Sequence, residues 1–146
     1  DNTKGSGVWD LIHPKIVAVS QKLFEDGHYA NAAEDAFVEI NDRVKKLFMK
    51  VNPTASKIPD GHTAMNMVFS DNAPLVEFCD RSTETGSNIQ KGYMQMLAGA
   101  MSALRNPKAH ANITITKDDA MRRLMFASML MYKIDEAIDY SEIQER

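Results

Sequence analysis

Apolar residues recur at helical spacing along most of this chain, and this periodicity constrains its fold more than any other feature. Two segments show it most clearly, because their apolar positions alternate in steps of four and three residues. Such spacing lines apolar side chains along one face of an α-helix. The two stripes are Ala33, Phe37, Ile40, Val44, Leu47 and Val51, and Ala120, Leu124, Ala127, Met131, Ile134 and Ile138. We therefore expect two long helices that each bury one face.

Residues that favour the starts and ends of helices divide the rest of the chain into helical segments. Pro14 suits the first position of a helix, where its missing N–H would be unpaired in any case, and Gly27 suits the end of that helix. Thr116, followed by Asp119 three residues later, is a variant of the capping box that begins a helix. Four main helices are predicted, over about residues 14–27, 28–50 and 89–104 and from residue 116 onward.

The segment between the second and third main helices is less regular. A turn signal at residues 59–61 precedes a short predicted helix over 63–69, and residues 81–88 are polar and loop-like. In the third main helix, five small residues are expected to let a neighbouring helix come close: Gly92, Ala98, Gly99, Ala100 and Ala103. The chain is therefore predicted to be all-α, a four- to five-helix bundle with an irregular excursion between the second and third main helices. No strand is predicted.

Length and composition fit one globular domain. The chain has 146 residues, of which 44% are hydrophobic and 25% charged, close to the average for globular proteins. Domain organisation is predicted as a linker or N-terminal extension over residues 1–13 and a helical domain over residues 14–146. The chain begins with Asp1 rather than Met, so we expect an excised domain or a processed end.

Other sequence features predict a cytoplasmic protein that contacts no membrane. No apolar run approaches the roughly 18 residues that cross a bilayer, and no secretory signal is present. The single cysteine, Cys79, excludes an internal disulfide framework. It lacks an evident neighbouring base, so we interpret it as a small buried residue rather than a nucleophile.

No motif for a cofactor or a metal is recognised in the sequence. A phosphate-cradling glycine-rich loop and a dinucleotide fingerprint are both absent. A di-metal carboxylate bundle needs two Glu-x-x-His pairs on facing helices. Only Glu25 and His28 have this spacing, and Gly27 interrupts the helix between them. We therefore predict neither a cofactor nor a metal site.

The net charge of −3 disfavours a protein that coats nucleic acid, but its distribution permits a local basic site. Residues 89–123 carry six cations and two carboxylates, a net of +4. Such cations attract phosphates without reading sequence. The alternative is ordinary surface charge. The candidate RNA-binding residues are Lys91, Lys108, Arg122 and Arg123.

The segment from Leu104 to His110 reads L-R-N-P-K-A-H and carries the most informative chemistry. Arg105 offers a planar fork of donors that suits phosphate oxygens. His110 exchanges a proton near neutral pH, and Asn106 supplies a neutral donor and acceptor. Together these groups suit a phosphodiester. The alternative is structural, because a cation favours a helix C-terminus and an Asn-Pro pair ends a helix.

This segment resembles the signature of the HEPN superfamily of helical-bundle proteins. That signature is an Arg, usually followed by a polar residue, and a His four to six residues later. Here four residues separate Arg105 from His110. The longer stretch G-A-M-S-A-L-R-N-P-K-A-H is similar to the C-terminal domain of Ymh-type proteins, a family of prophages and bacterial genomes. Residues 27–32 and 60–69 resemble further landmarks of that family.

The resemblance implies a function. HEPN domains generally pair as homodimers, and many are metal-independent endoribonucleases of toxin–antitoxin, abortive-infection or other phage-defence systems. By this resemblance, Arg105, Asn106 and His110 are the catalytic residues, lie in a cleft at the dimer interface and cleave RNA by attack of the ribose 2′-OH.

Some members position the His with a polar residue of the second helix. Three acidic residues are candidates for that supporting role here, and a solvated helix face explains them equally well: Glu34, Asp35 and Glu39. The last of them is also predicted to pair with Arg43, four residues later, on the exposed face of the helix.

Two alternatives to a ribonuclease stay open. One is a non-catalytic HEPN module that binds a nucleotide, an antitoxin or another partner protein. The other is the dimerisation domain of a larger protein, with a fused domain on its N-terminal side.

Overall fold

The computed structural model describes residues 7–105 and 114–145, which form five α-helices after one short 3-10 turn at Val8–Asp10. The helices are α1 (Pro14–Glu25), α2 (Tyr29–Val51), α3 (Gly61–Phe69), α4 (Glu84–Ala103) and α5 (Lys117–Ser141). Neither described range contains a strand. The predicted all-helical bundle is therefore confirmed, and so is the irregular excursion, which contains α3.

Helix α2 is the centre of the bundle. Helices α1, α3 and α5 all pack against it, and α4 packs mainly on α3. The rings of Phe37 and Phe126 lie 6.3 Å apart, and Arg43 donates to the carbonyl oxygen of Met131 at 3.4 Å. Helices α2 and α5 therefore run in the same direction. Both predicted stripes are buried except for Val51, which lies at the end of α2 and is exposed.

The connection between α1 and α2 follows the predicted signals. Pro14 is the first residue of α1, and the His13 side chain caps the helix by accepting from the Lys15 N–H at 3.0 Å. Gly27 has a φ of +88°, which favours glycine because it has no Cβ. The residues just before α1, assigned from sequence to a linker or extension, contact the bundle: Ile12 is buried in the core, and Trp9 packs against it.

Helix α4 begins at Glu84, five residues before the predicted start at about residue 89. The Thr83 side chain caps it by accepting from the Gly86 N–H at 3.0 Å, and Glu84 adds a favourable acidic charge in the first turn. The predicted loop over residues 81–88 is therefore wrong from residue 84 onward. Polar residues dominate this first turn and a half, so apolar periodicity could not reveal it.

Gly86 is the glycine of α4 that a neighbouring segment approaches. A Cβ at this position would lie only 1.8 Å from the carbonyl oxygen of Asp80. In the described part of the chain, no neighbouring atom lies within 4 Å of a Cβ added at Gly92 or Gly99. The predicted close approach is therefore wrong for Gly92 and Gly99, whereas Ala98 and Ala100 of the same set are buried in the core.

We expect Gly86→Ala and Gly92→Ala to change the stability of the fold in opposite directions. Gly86→Ala must displace the backbone at Asp80, and overpacking of this kind costs about 1–3 kcal/mol. Gly92→Ala should stabilise by roughly 0.5–1 kcal/mol, because glycine is a poor helix former. Urea unfolding of both variants measures the difference. A Gly86→Ala variant as stable as the wild type would contradict the close approach.

Helix α5 begins where the sequence predicts. The Thr116 hydroxyl accepts from the Asp119 N–H at 3.1 Å, but the Asp119 carboxylate pairs with Arg123 at 3.0 Å instead of completing the capping box. The helix ends at Ser141, and its C-cap, Glu142, has a left-handed φ of 55°. No helix within the two described ranges has the length and apolar character to span a bilayer.

Candidate functional site

Arg105 is the one predicted catalytic residue that lies within the described part of the chain. Asn106, Lys108 and His110 lie outside the described residues. Arg105 directly follows the end of α4, and its backbone N–H donates to the carbonyl oxygen of Ala100 at 3.2 Å. Its side chain is 26% exposed, so it lies at the surface without extending freely into solvent.

Asp60, the residue before α3, contacts Arg105. Arg105 Nη2 lies 3.3 Å from Asp60 Oδ2, and Lys45 Nζ lies 3.3 Å from the other carboxylate oxygen, Oδ1. Asn41 Nδ2 also donates to Oδ1, at 2.8 Å. Side chains from α2, from the start of α3 and from the end of α4 therefore meet at one carboxylate. We call Asn41, Lys45, Asp60, Gly61 and Arg105 the Asp60 cluster.

Local sequence explains how this cluster assembles. Asn41 and Lys45 are four residues apart, so they lie on the same face of α2. The buried Asn41 side chain also accepts, through Oδ1, from the Gly61 N–H at 2.9 Å. Gly61 has a φ of +57°, and a Cβ there would lie 2.6 Å from Arg105 Nη2. Glycine at this position therefore leaves the space that the guanidinium occupies.

The surroundings of Asp60 favour its ionised form. The hydrogen bond from Asn41 lowers its pKa below the usual value, and Lys45 and Arg105 lower it further against the opposing effect of burial. Because the pKa is lowered on folding, the resulting stabilisation is present above the unfolded-state pKa and is lost as the pH falls through the folded-state pKa. The side chain is half exposed, so this stabilisation is modest. Two cations and one carboxylate give the cluster a net charge of +1.

Arg105 Nε is the chemically unusual atom of the site. It is shielded from solvent, and no atom in residues 7–105 or 114–145 accepts a hydrogen bond from it. A buried donor without a partner costs about 1–3 kcal/mol. An oxygen acceptor from a bound ligand would remove that cost. A phosphate or carboxylate oxygen suits it best, because hydrogen bonds between two charged groups are the stronger ones.

Three of the predicted RNA-binding cations lie within the described residues, and none of these three pairs with Asp60. Lys91 is exposed on α4, fourteen residues before Arg105 and so roughly 20 Å away along the helix. Arg122 is exposed on α5, and Arg123 is already paired with Asp119. The second cation beside Arg105 is instead Lys45, which the sequence did not single out.

The three predicted supporting acids lie nearer the N-terminal end of α2. Glu34 is partly buried and shares a helix face with Asn41, seven residues and roughly 10 Å further along. Burial raises the pKa of Glu34, the charge of Asp35 raises it further, and burial raises the pKa of Asp35. Glu39 is also partly buried. Within the described ranges, no hydrogen bond or ion pair links any of these acids to Arg105.

A second ionic cluster consists of His13, Arg43, Asp135 and Glu145, which we call the His13 cluster. His13 Nε2 lies 2.8 Å from Asp135 Oδ2, and Arg43 Nη2 lies 2.7 Å from Asp135 Oδ1. Two parallel hydrogen bonds, each of 3.0 Å, join Arg43 to Glu145, and they lower the pKa of that carboxyl group.

This second cluster is structural, because both ring nitrogens of His13 are engaged within the fold. Nδ1 accepts from the Lys15 N–H, so the ring proton lies on Nε2 and points to Asp135. Arg43 is only 6% exposed, and its partners come from α5 and the C-terminal tail. The predicted surface pair between Glu39 and Arg43 is therefore wrong.

The His, Cys, Asp and Glu side chains in the described ranges form no group of three or more that could hold a metal ion. Cys79 is half buried, and its thiol donates to the carbonyl oxygen of Gly86 at 3.5 Å.

An exposed apolar surface lies where α5 meets the N-terminal turn. Its exposed members are Leu11 (74% exposed), Met125 (50%), Met129 (47%) and Tyr132 (43%), which we call the α5 patch. The three residues of α5 follow at intervals of four and three, so they form one stripe. With Val8 and Ile12 they line a cleft of about 240 Å³. These residues form one contiguous apolar surface.

Fold and site together define a small all-helical domain in which one arginine joins a polar cluster built from α2, the start of α3 and the end of α4. The chain belongs to the family described as "Protein of unknown function (Hypoth_ymh)", whose model matches residues 10–134. This match confirms the resemblance to Ymh-type proteins. No curated protein and no solved structure matches the chain.

Proposed function

We propose that this protein is a metal-independent endoribonuclease of the toxin or phage-defence type, with a HEPN-like site at Arg105, Asn106 and His110. The observation that supports it most is the state of the Arg105 guanidinium. One end of the group faces Asp60, while the buried Nε has no acceptor among the described residues. A donor in that state matches an oxygen of a phosphodiester.

The proposed reaction is a transesterification at phosphorus. His110 accepts the proton of a ribose 2′-OH as general base, and the 2′-oxygen forms a bond to the adjacent phosphorus. The bond from phosphorus to the 5′-oxygen breaks, and a second imidazole protonates that oxygen. The products are a 2′,3′-cyclic phosphate and a 5′-hydroxyl. Arg105 stabilises the charge that develops on the phosphorane oxygens, and Asn106 orients His110 or the phosphate.

In this proposal, the cations of the chain contribute unequally to the attraction of the RNA backbone. Lys45 places a second positive charge beside Arg105. Lys91 and Arg122 are exposed and supply long-range attraction to the RNA backbone. Arg123 contributes less, because Asp119 compensates its charge. We place the activity in the cytoplasm, where RNA substrates are present.

Cleavage of RNA in the presence of EDTA tests the proposal. We expect the wild-type protein to release fragments that end in a 2′,3′-cyclic phosphate, and His110→Ala to release almost none. Full activity of His110→Ala would contradict the mechanism. A wild-type protein that binds RNA or a partner protein without cleaving it would favour the non-catalytic module instead.

The α5 patch supports a second part of the proposal, the pairing of two copies. One imidazole cannot conveniently serve as base and acid in the same turnover, and a second protomer supplies a second His110. The patch is contiguous and combines two methionines with an aromatic side chain. Aromatic residues and methionine are enriched at protein interfaces. We propose that this surface forms the homodimer contact.

Met129→Glu is expected to convert the dimer to a monomer. A carboxylate at the centre of the patch would lose its hydration on pairing, and burying an unpaired charge is costly. Sedimentation velocity at matched concentrations measures the change. Met67→Glu is the control, because Met67 is similarly exposed but lies on α3. A monomeric wild-type protein, or a dimeric Met129→Glu variant, would contradict pairing through this patch.

A further inference from the structure

We propose that Asp60, held by Asn41, is a positioning residue that orients the Arg105 guanidinium toward the scissile phosphate. The inference deepens the proposed ribonuclease function and rests on it. It assigns a role to two residues that lie far from Arg105 in sequence and are brought to it only by the fold.

Asn41 holds the carboxylate of Asp60 in one orientation. The Asn41 amide is buried and engaged at both ends: Nδ2 donates to Asp60 Oδ1 at 2.8 Å, and Oδ1 accepts from the Gly61 N–H at 2.9 Å. Rotating the amide by half a turn would place donor against donor and acceptor against acceptor. The amide therefore has one favourable orientation, and it directs Asp60 Oδ2 toward Arg105.

Two independent features of the chain then place the guanidinium. Asp60 Oδ2 attracts Arg105 Nη2 at 3.3 Å. Gly61 provides the space, because a side chain there would come within 2.6 Å of the same nitrogen. Arg105 is the first residue after the C-cap of α4, so the helix backbone restrains its long side chain little. Asp60 and Gly61 supply restraint that α4 does not.

The contact with Asp60 occupies only one of the three guanidinium nitrogens. The ion pair involves Nη2, while Nε keeps its proton without an acceptor in the described part of the chain. An arginine oriented in advance is more effective in a transition state than one that must be ordered during the reaction. Asp60 thus acts through Arg105 and need not touch the RNA.

A purely structural role predicts a different outcome. If Asp60 only joined α3 to α4, removing its charge would reduce stability and leave the orientation of Arg105 and the catalytic rate unchanged. Asp60→Asn separates the two roles, because it keeps the size of the side chain and an oxygen that can accept from Asn41. Glu77→Gln is the matched control, since Glu77 has similar exposure and pairs with Arg81 Nε at 3.0 Å away from the cluster.

Two measurements test the inference. The first is the ¹H–¹⁵N signal of Arg105 Nε, assigned by its loss in Arg105→Lys. It is expected to shift in Asp60→Asn and to stay in place in Glu77→Gln. The second is metal-free RNA cleavage at a temperature where all variants are folded. Asp60→Asn is expected to lower kcat on the order of 10-fold with KM within about twofold, less than the roughly 100-fold loss for removing a catalytic donor outright.

Each outcome of these two measurements decides whether Asp60 orients Arg105. An unchanged Nε signal in Asp60→Asn would overturn the inference, and so would a shifted signal with wild-type kcat. Gly61→Ala gives a second check, because it displaces the guanidinium and should shift the same signal. If the wild-type protein cleaves no RNA, the proposed function fails by that result. The Nε signal then decides separately whether Asp60 orients Arg105.

Discussion

Arg105→Ala is expected to lower the rate of metal-free RNA cleavage by about 100- to 1000-fold, the loss that follows removal of one donor to a developing oxyanion. The fold should survive, because the ion pair with Asp60 is partly exposed and such pairs contribute little to stability. Arg105→Lys keeps the charge but lacks the planar fork, so it should recover only part of the rate.

Initial rates on a labelled RNA in EDTA measure this loss, with circular dichroism as the check of folding. Arg81→Ala is the matched control: Arg81 is 25% exposed against 26% for Arg105, and it is likewise paired with an aspartate. The control should cleave at close to the wild-type rate. If Arg105→Ala retains activity within about threefold of the wild type, Arg105 does not stabilise the transition state.

Gln90→Met is expected to destabilise the fold by about 3 kcal/mol or more, because it leaves three buried backbone groups without partners at roughly 1–3 kcal/mol each. Gln90 is fully buried in α4. Its Oε1 accepts from the Phe78 N–H at 2.8 Å, and its Nε2 donates to the carbonyl oxygens of Phe69 and Val76 at 3.0 Å. Met has a similar size, so the loss is one of hydrogen bonds rather than of volume.

Urea denaturation followed by circular dichroism measures the free energy of unfolding. Gln95→Met is the control, since Gln95 is exposed on the same helix and should change stability by less than about 0.5 kcal/mol. If the free energy of unfolding of Gln90→Met lies within about 1 kcal/mol of the wild-type value, the irregular segment between α3 and α4 does not depend on this side chain.

The helices were predictable because their signals are local. Phe37 and Leu124 recur with neighbours at helical spacing, and a cap such as Thr116 acts on a residue three positions away. The start of α4 was missed because its polar first turn carries no such signal. The role of Gln90 was missed because its partners lie 12 to 21 residues away in an irregular segment.

The site was predictable only in part, because most of its contacts join residues that are far apart in sequence. Arg105 belongs to a short motif, whereas Asn41 and Asp60 reach it through the packing of α2 and α3. One signal was available: Asn41 follows Ile40 within the buried face of a helix, where a polar residue needs a partner. Arg43 was misplaced because periodicity cannot show that the tail residue Glu145 covers that flank of α2.

The position of the N-terminal turn has a practical consequence for experiments. Val8 lines the cleft of the α5 patch, and Leu11 is its most exposed member. The described chain therefore enters the bundle at the rim of the surface that we propose for pairing. A purification tag attached ahead of this turn would compete sterically with a second protomer, so the oligomeric state should be measured on protein from which any tag has been removed.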